Sequence, residues 1–131
     1  MKAYLRNIRI SSKKVNLVAD LVRGKDVDEA INFLRFTPKH SAKPLGEAIK
    51  SATANAVQNF KQDRKTLYIS KIVVNEGATL KRSRPVSRGR SHPILKRTSH
   101  VTVELSVRAG VAPTETKGKK VVEKKTSPKK S

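Results

Sequence analysis

An α+β fold is predicted for this chain of 131 residues by three observations. Apolar residues recur at helical spacing in three stretches between residues 11 and 60, and β-branched runs occupy residues 67–74 and 100–107. Between those runs lies a strongly basic segment, residues 81–97 (KRSRPVSRGRSHPILKR), with seven Lys or Arg and no acidic residue.

Residues 3–10 (AYLRNIRI) mix apolar and basic side chains, as a short edge strand does. Ser11 or Ser12 can cap a first helix whose stripe is Val15, Leu17, Val18, Leu21 and Val22, with Gly24 as a left-handed terminator. Asp26 and Glu29 have the spacing of a capping box, and Val27, Ala30, Ile31 and Leu34 supply the buried face of a second helix. Thr37 before Pro38 predicts a third helix start. Leu45, Ile49, Ala52, Ala56 and Phe60 mark that helix's inner face, while Pro44 and Gly46 predict irregular first turns.

The run LYISKIVV (residues 67–74) reads as a strand, and Val101, Val103, Leu105 and Val107 alternate with polar residues in another. Antiparallel pairing of the two makes residues 67–107 one long hairpin with the basic segment at its far end. At about 3.3 Å per residue, a strand over residues 67–82 reaches roughly 50 Å, so the tip projects beyond the body. Pro85, Gly89 and Pro93 predict breaks in the ladder and an irregular tip. Residues 109–131 carry seven Lys, two Glu and no aromatic residue, the composition of a disordered tail, so residues 1–108 are expected to form the single folded domain.

Charge narrows the function. The net charge is +20, and residues 1–108 alone hold 23 basic and 8 acidic residues, a net +15, so the tail does not account for it. A polyanion partner follows, with nucleic acid foremost. No apolar run spans a bilayer and no signal-peptide pattern opens the chain, so a soluble, intracellular protein is expected. Cysteine is absent, and His40, His92 and His100 lie in unlike segments; they read as solvated or structural side chains, with neither metal nor cofactor expected. No paired-carboxylate motif or glycine-rich phosphate loop is present, which argues against an enzyme.

Lys81, Arg82, Arg84, Arg88, Arg90, Lys96 and Arg97 suit phosphate oxygens. Lys13 and Lys14 fall in the first turn of a helix, where the dipole disfavours cations by about 0.3 to 1 kcal/mol, a local cost that a bound phosphate would reverse. The five aromatic residues, Tyr4, Phe33, Phe36, Phe60 and Tyr68, occupy positions that read as core, so recognition through phosphate and shape is expected over base stacking.

Three motifs, SSKKVNLVADLVRGK (residues 11–25), NEGATLKRSRP (residues 75–85) and LKRTSHVTVEL (residues 95–105), with ATANA (residues 52–56) between the first two, resemble the bacterial form of the ribosomal large-subunit protein twenty-two family. The resemblance covers about residues 3–107. It implies three helices packed on a small antiparallel three-stranded sheet, plus a long protruding β-hairpin. It further implies a structural, ribosome-bound cytoplasmic protein that binds large-subunit rRNA, supports assembly beside other large-subunit proteins, and lines the nascent-peptide exit tunnel. On this match Lys81, Arg82, Arg84, Lys96 and Arg97 contact rRNA along the hairpin and Lys13 and Lys14 anchor the body. Arg88, Gly89 and Arg90 sit at the tunnel-facing tip, near the passing nascent polypeptide. The chain departs from the family pattern at Ala78, where proline is common, at Ser83, where an apolar residue is common, and at Val86, where arginine is common.

The main alternative is an architectural DNA-binding protein gripping a duplex with basic β-arms. Such proteins usually need a dimer, and this chain shows one hairpin and no heptad pattern. A basic adaptor for an acidic protein has no motif in its favour.

Overall fold

The computed structural model describes residues 1–108; the expected tail lies outside the described residues. Strand β1 (Lys2–Ile8) is followed by helices α1 (Ser12–Asp20), α2 (Val27–Phe36) and α3 (Ala42–Phe60). A short 3₁₀ turn (Arg64–Thr66) then leads into β2 (Leu67–Glu76), β3 (Leu80–Pro85), β4 (Ser91–Lys96) and β5 (Ser99–Val107). The predicted α+β class holds: three helices cover one face of a three-stranded antiparallel sheet of order β1-β5-β2.

The strict alternation of β5 turns Val101, Val103 and Leu105 inward. In β2 a bulge between Ile69 and Lys71 shifts the period, so that Leu67, Ile69 and Ile72 all reach the core. Ala48, Ala52 and Ala56 line the inner face of α3, and these small side chains bring the helix close to the sheet. That close approach explains one failed expectation. The core is built of Ala, Val, Leu and Ile, and it leaves the rings outside: Tyr4, Phe33, Phe36 and Phe60 are all exposed. The apolar stripe of α1 is likewise narrower than predicted, with Val15, Val18 and Val22 buried but Leu17 and Leu21 exposed.

Helix boundaries also moved. Helix α1 ends at Asp20, and Gly24 takes its left-handed conformation (φ 77°) three residues past the C-cap, where its N–H donates to the Ile69 carbonyl and ties the turn to β2. Asp26 does precede α2, yet its side chain caps nothing; it faces Arg108 at 3.4 Å while Glu29 holds Lys25. Thr37 closes α2 instead of opening α3, which starts at Ala42 after Ser41. Pro44 therefore occupies the third helical position, where the missing N–H has no intrahelical acceptor to lose, and no kink is needed.

The predicted hairpin forms as two ladders in series. Strands β2 and β5 pair from Leu67 opposite Val107 to Glu76 opposite Ser99, then β3 and β4 pair from Leu80 opposite Lys96 to Pro85 opposite Ser91. The joint between them is tight. Gly77 N–H donates to the Thr98 carbonyl at 2.9 Å, and Thr98 Oγ1 donates to the Ala78 carbonyl at 2.8 Å. A Cβ at Gly77 would collide with the Thr98 hydroxyl and stand 3.0 Å from His100 Nε2, so a larger residue there forces both side chains to shift.

Candidate nucleic-acid interface

Every residue from 78 to 97 is exposed. Opposed residues in an antiparallel ladder share a face, which sorts the side chains. One face carries Leu80, Lys96, Arg82, Ile94, Arg84 and His92; the other carries Lys81, Leu95, Ser83, Pro93, Pro85 and Ser91. Three of the four ladder cations thus stand on one side, and Lys81 stands alone on the other. At the end, Val86 N–H donates to the Arg90 carbonyl at 2.8 Å, while Arg88 (φ 59°) and Gly89 (φ 67°) make the turn.

The prolines do not break this ladder, contrary to the sequence expectation. Bonded and unbonded pairs alternate along an antiparallel ladder. Counting back from the Val86–Arg90 bond puts Pro85 and Pro93 at unbonded positions, where no ladder donor is missing. The irregular part is confined to residues 86–90.

Folding gathers residues that are distant in sequence at the root of the hairpin. Arg9, Lys14, Lys39, His40, Lys96 and Arg97 line an open cleft of about 880 Å³, with no carboxylate among its lining residues. Lys14 comes from the first turn of α1. Ser11, at that helix's N-cap, makes no side-chain cap, and no acidic residue lies in the first turn. Ser12 does not cap the helix either; its hydroxyl donates to Glu76 Oε1 at 3.1 Å. Arg9 arrives through the bulged end of β1, where Asn7 (φ 57°) donates its N–H to His100 Nδ1 at 3.1 Å and turns the chain. Lys39 and His40 come from the link between α2 and α3.

The cleft unites Lys14 with Lys96 and Arg97, which sequence reading had kept as separate clusters. Lys13 is exposed on α1 but does not line the cleft, and Lys81, Arg82, Arg84, Arg88, Gly89 and Arg90 lie farther along the hairpin. Arg9, Lys39 and His40 were missed, because each is an isolated residue in a different segment and only the fold makes them neighbours.

Carboxylates are matched elsewhere. Asp28 meets Arg64 at 2.6 Å, Glu29 meets Lys25 at 2.7 Å, Glu104 meets Lys2 at 2.8 Å, and Asp20 and Asp26 pair with Arg23 and Arg108. None of these described ion pairs uses a cleft or hairpin cation. The hydrogen bond with Glu104 raises the Lys2 pKa, and the same bond lowers that of Glu104. No helix is long and apolar enough to cross a membrane, and no three potential metal ligands cluster among the described residues.

The family model for Ribosomal protein L22p/L17e matches residues 3–106. The chain belongs to this family. It is 50% identical over 105 residues to the large ribosomal subunit protein uL22 of Pediococcus pentosaceus, covering 80% of this chain and 89% of the relative. It is also 50% identical over 107 residues to the protein of the same name from Ligilactobacillus salivarius, covering 82% and 93%. Membership in the family makes the chain a structural ribosomal component and no enzyme.

Proposed function

We propose that the protein binds large-subunit rRNA through the cleft and the basic hairpin face, supports subunit assembly, and lines the nascent-peptide tunnel with the hairpin. The observation that carries this reading is the cleft, in which five cations converge without a carboxylate. Cations held together without internal counter-charges repel each other, and phosphate relieves that repulsion. Residues 1–108 act as one RNA-binding unit, bound to the ribosome of the cytoplasm. Arg9, Lys14, Lys39, Lys96 and Arg97 anchor the body, with Lys13 beside them. Arg82 and Arg84 extend the grip outward, and Lys81 contacts RNA from the other face. Arg88, Gly89 and Arg90 form the tip presented to the nascent polypeptide.

Three measurements test the reading. In sucrose gradients of cell lysate the chain should travel with large subunits at near-unit stoichiometry; persistent absence from them rejects it. For the purified protein, log K for large-subunit rRNA should fall linearly with log salt by about 0.7 to 0.9 per phosphate contacted. A flat plot would falsify electrostatic anchoring. Deleting residues 84–93 should leave body binding measurable while altering tunnel-dependent events such as translational stalling. Loss of all RNA binding on that deletion would break the division between anchor and tip.

A further inference from the structure

The basic cleft holds apolar side chains that phosphate alone does not use. Ile10 just before α1, Leu17 on the second turn of α1 and Leu95 near the end of β4 share the lining with the five cations. Leu17 is 60% exposed and Leu95 46%, so neither belongs to the core. Leu17 also follows Lys14 by three residues, which puts a cation and an aliphatic side chain next to each other on one helix face.

A ligand that satisfies both kinds of lining carries negative charge and an apolar body in one unit. The cleft's volume of about 880 Å³ lies within the roughly 300–1,000 Å³ of concavities that take up small organic molecules, whose walls are mostly apolar with a few placed polar groups. An unpaired nucleotide meets both conditions. In a duplex the bases are stacked inside, and the leucines would face only the charged backbone. Arg9, His40 and Arg97 add planar groups of the kind on which a splayed base rests. Scarcity of aromatic residues points away from base recognition in the sequence, yet the fold supplies aliphatic, imidazole and guanidinium surfaces in their place.

Charge selects RNA over an acidic peptide as the occupant. The cations do not end at the cleft, because Arg82 and Arg84 continue from Lys96 along one face of the hairpin. Such a track matches a chain that carries a phosphate at every residue.

We propose that the cleft takes in the base of one unpaired RNA nucleotide, seated against Ile10, Leu17 and Leu95, while Arg9, Lys14, Lys39, Lys96 and Arg97 hold the phosphates on either side. The proposal rests on the RNA-binding reading above and specifies its ligand: a loop, bulge or strand end, not the backbone of a continuous duplex.

Filter binding of the full chain to two synthetic single strands of equal length tests it, one a mixed-sequence RNA and the other its abasic counterpart with the same phosphates. The RNA should bind at least about tenfold more tightly. Leu17→Ala combined with Leu95→Ala should bring that ratio to about one while leaving the salt slope for the RNA unchanged, since no phosphate contact is lost. A ratio near one in the unaltered chain, a ratio that survives in the double variant, or a salt slope that falls with it overturns the base pocket. Leu17→Ala alone, at the more exposed position, reads the same ratio should the double variant fail to fold.

Photocrosslinking separates RNA from protein as the occupant. With Leu17→p-benzoylphenylalanine in isolated large subunits, an adduct at an unpaired rRNA nucleotide supports the proposal; an adduct at a paired nucleotide or at another protein, or none, overturns it. Salt-independent binding of both strands by the unaltered chain overturns the RNA-binding reading itself, whereas salt-dependent binding without base preference overturns the base pocket alone.

Discussion

The body and the outer hairpin are built by opposite rules from one chain. In the body, apolar side chains close on each other and five of the eight acidic residues find basic partners within a few ångströms. Between residues 78 and 97 every side chain is exposed, and none joins a described ion pair. A ribbon of two strands has marginal stability in water by itself, so this hairpin depends on its root and on whatever binds its cations. Folding energy and binding energy are therefore housed in different places.

The largest effect should come from the cleft. Replacing Lys14, Lys39, Lys96 and Arg97 together by Ala should lower rRNA affinity about 10³-fold near 0.1 M salt and reduce the salt slope by about 3 to 4. The melting temperature should hardly change. Filter binding across a salt series, paired with thermal denaturation, checks both halves; a large drop in stability would mean that these cations belong to the body's architecture.

Next comes the core. Ile49 is wholly buried on α3, so Ile49→Ala should destabilise the protein by about 2 to 5 kcal/mol. Deleting residues 84–93 should leave the denaturation midpoint nearly unmoved. Equal losses from the two changes would erase the contrast between body and hairpin.

Gly77→Ala strikes the joint between them. The new methyl group must displace Thr98 and His100, which should cost about 1 to 3 kcal/mol and disturb the Thr98–Ala78 bond that aims the hairpin. NMR shifts confined to the outer hairpin and the Asn7–His100 contact would locate the damage at the root, whereas spread through α3 would not.

The smallest effect belongs to Lys2–Glu104, an exposed pair on the sheet. Glu104 is held below its ordinary value near 4.5 and Lys2 above its ordinary value near 10.5. The pair's contribution is fully present between those values. It is lost as pH falls through the lowered Glu104 pKa, and again as pH rises through the raised Lys2 pKa. Chemical denaturation of Lys2→Ala between pH 3 and 7 should show a small loss at neutral pH that vanishes in acid, and also vanishes near 1 M salt, where the screening length is about 3 Å. A loss that is independent of pH would reject the ion pair as its cause.

Much of this architecture was legible because it depends on local pattern. The period-two alternation of residues 100–107 identified β5, and the spacing of Val15, Val18 and Val22 identified the inner face of α1. Aromatic burial was misread because size and hydrophobicity do not reveal which faces meet. Small alanines on α3 draw the layers together, and rings at Phe33, Phe36 and Phe60 are left on the outside. The start of α2 after Asp26 was read correctly, but the capping box does not form, because Asp26 pairs with Arg108 and Glu29 with Lys25; Thr37 was misjudged as opening α3, because it closes the preceding helix.

Composition alone carried the need for a polyanion, since net charge is independent of conformation, and the paired β-runs carried the hairpin. The cleft required the fold. Arg9, Lys14, Lys39 and Lys96 are separated by up to 87 residues of sequence, and their charges act jointly only because a bulge, a helix start, a helix link and a hairpin root converge in space. Coulomb attraction depends on distance between charges, and distance between segments is what tertiary structure supplies. The same folding put three of the four cations of the β3–β4 ladder on one face, a division that the count of basic residues could not contain.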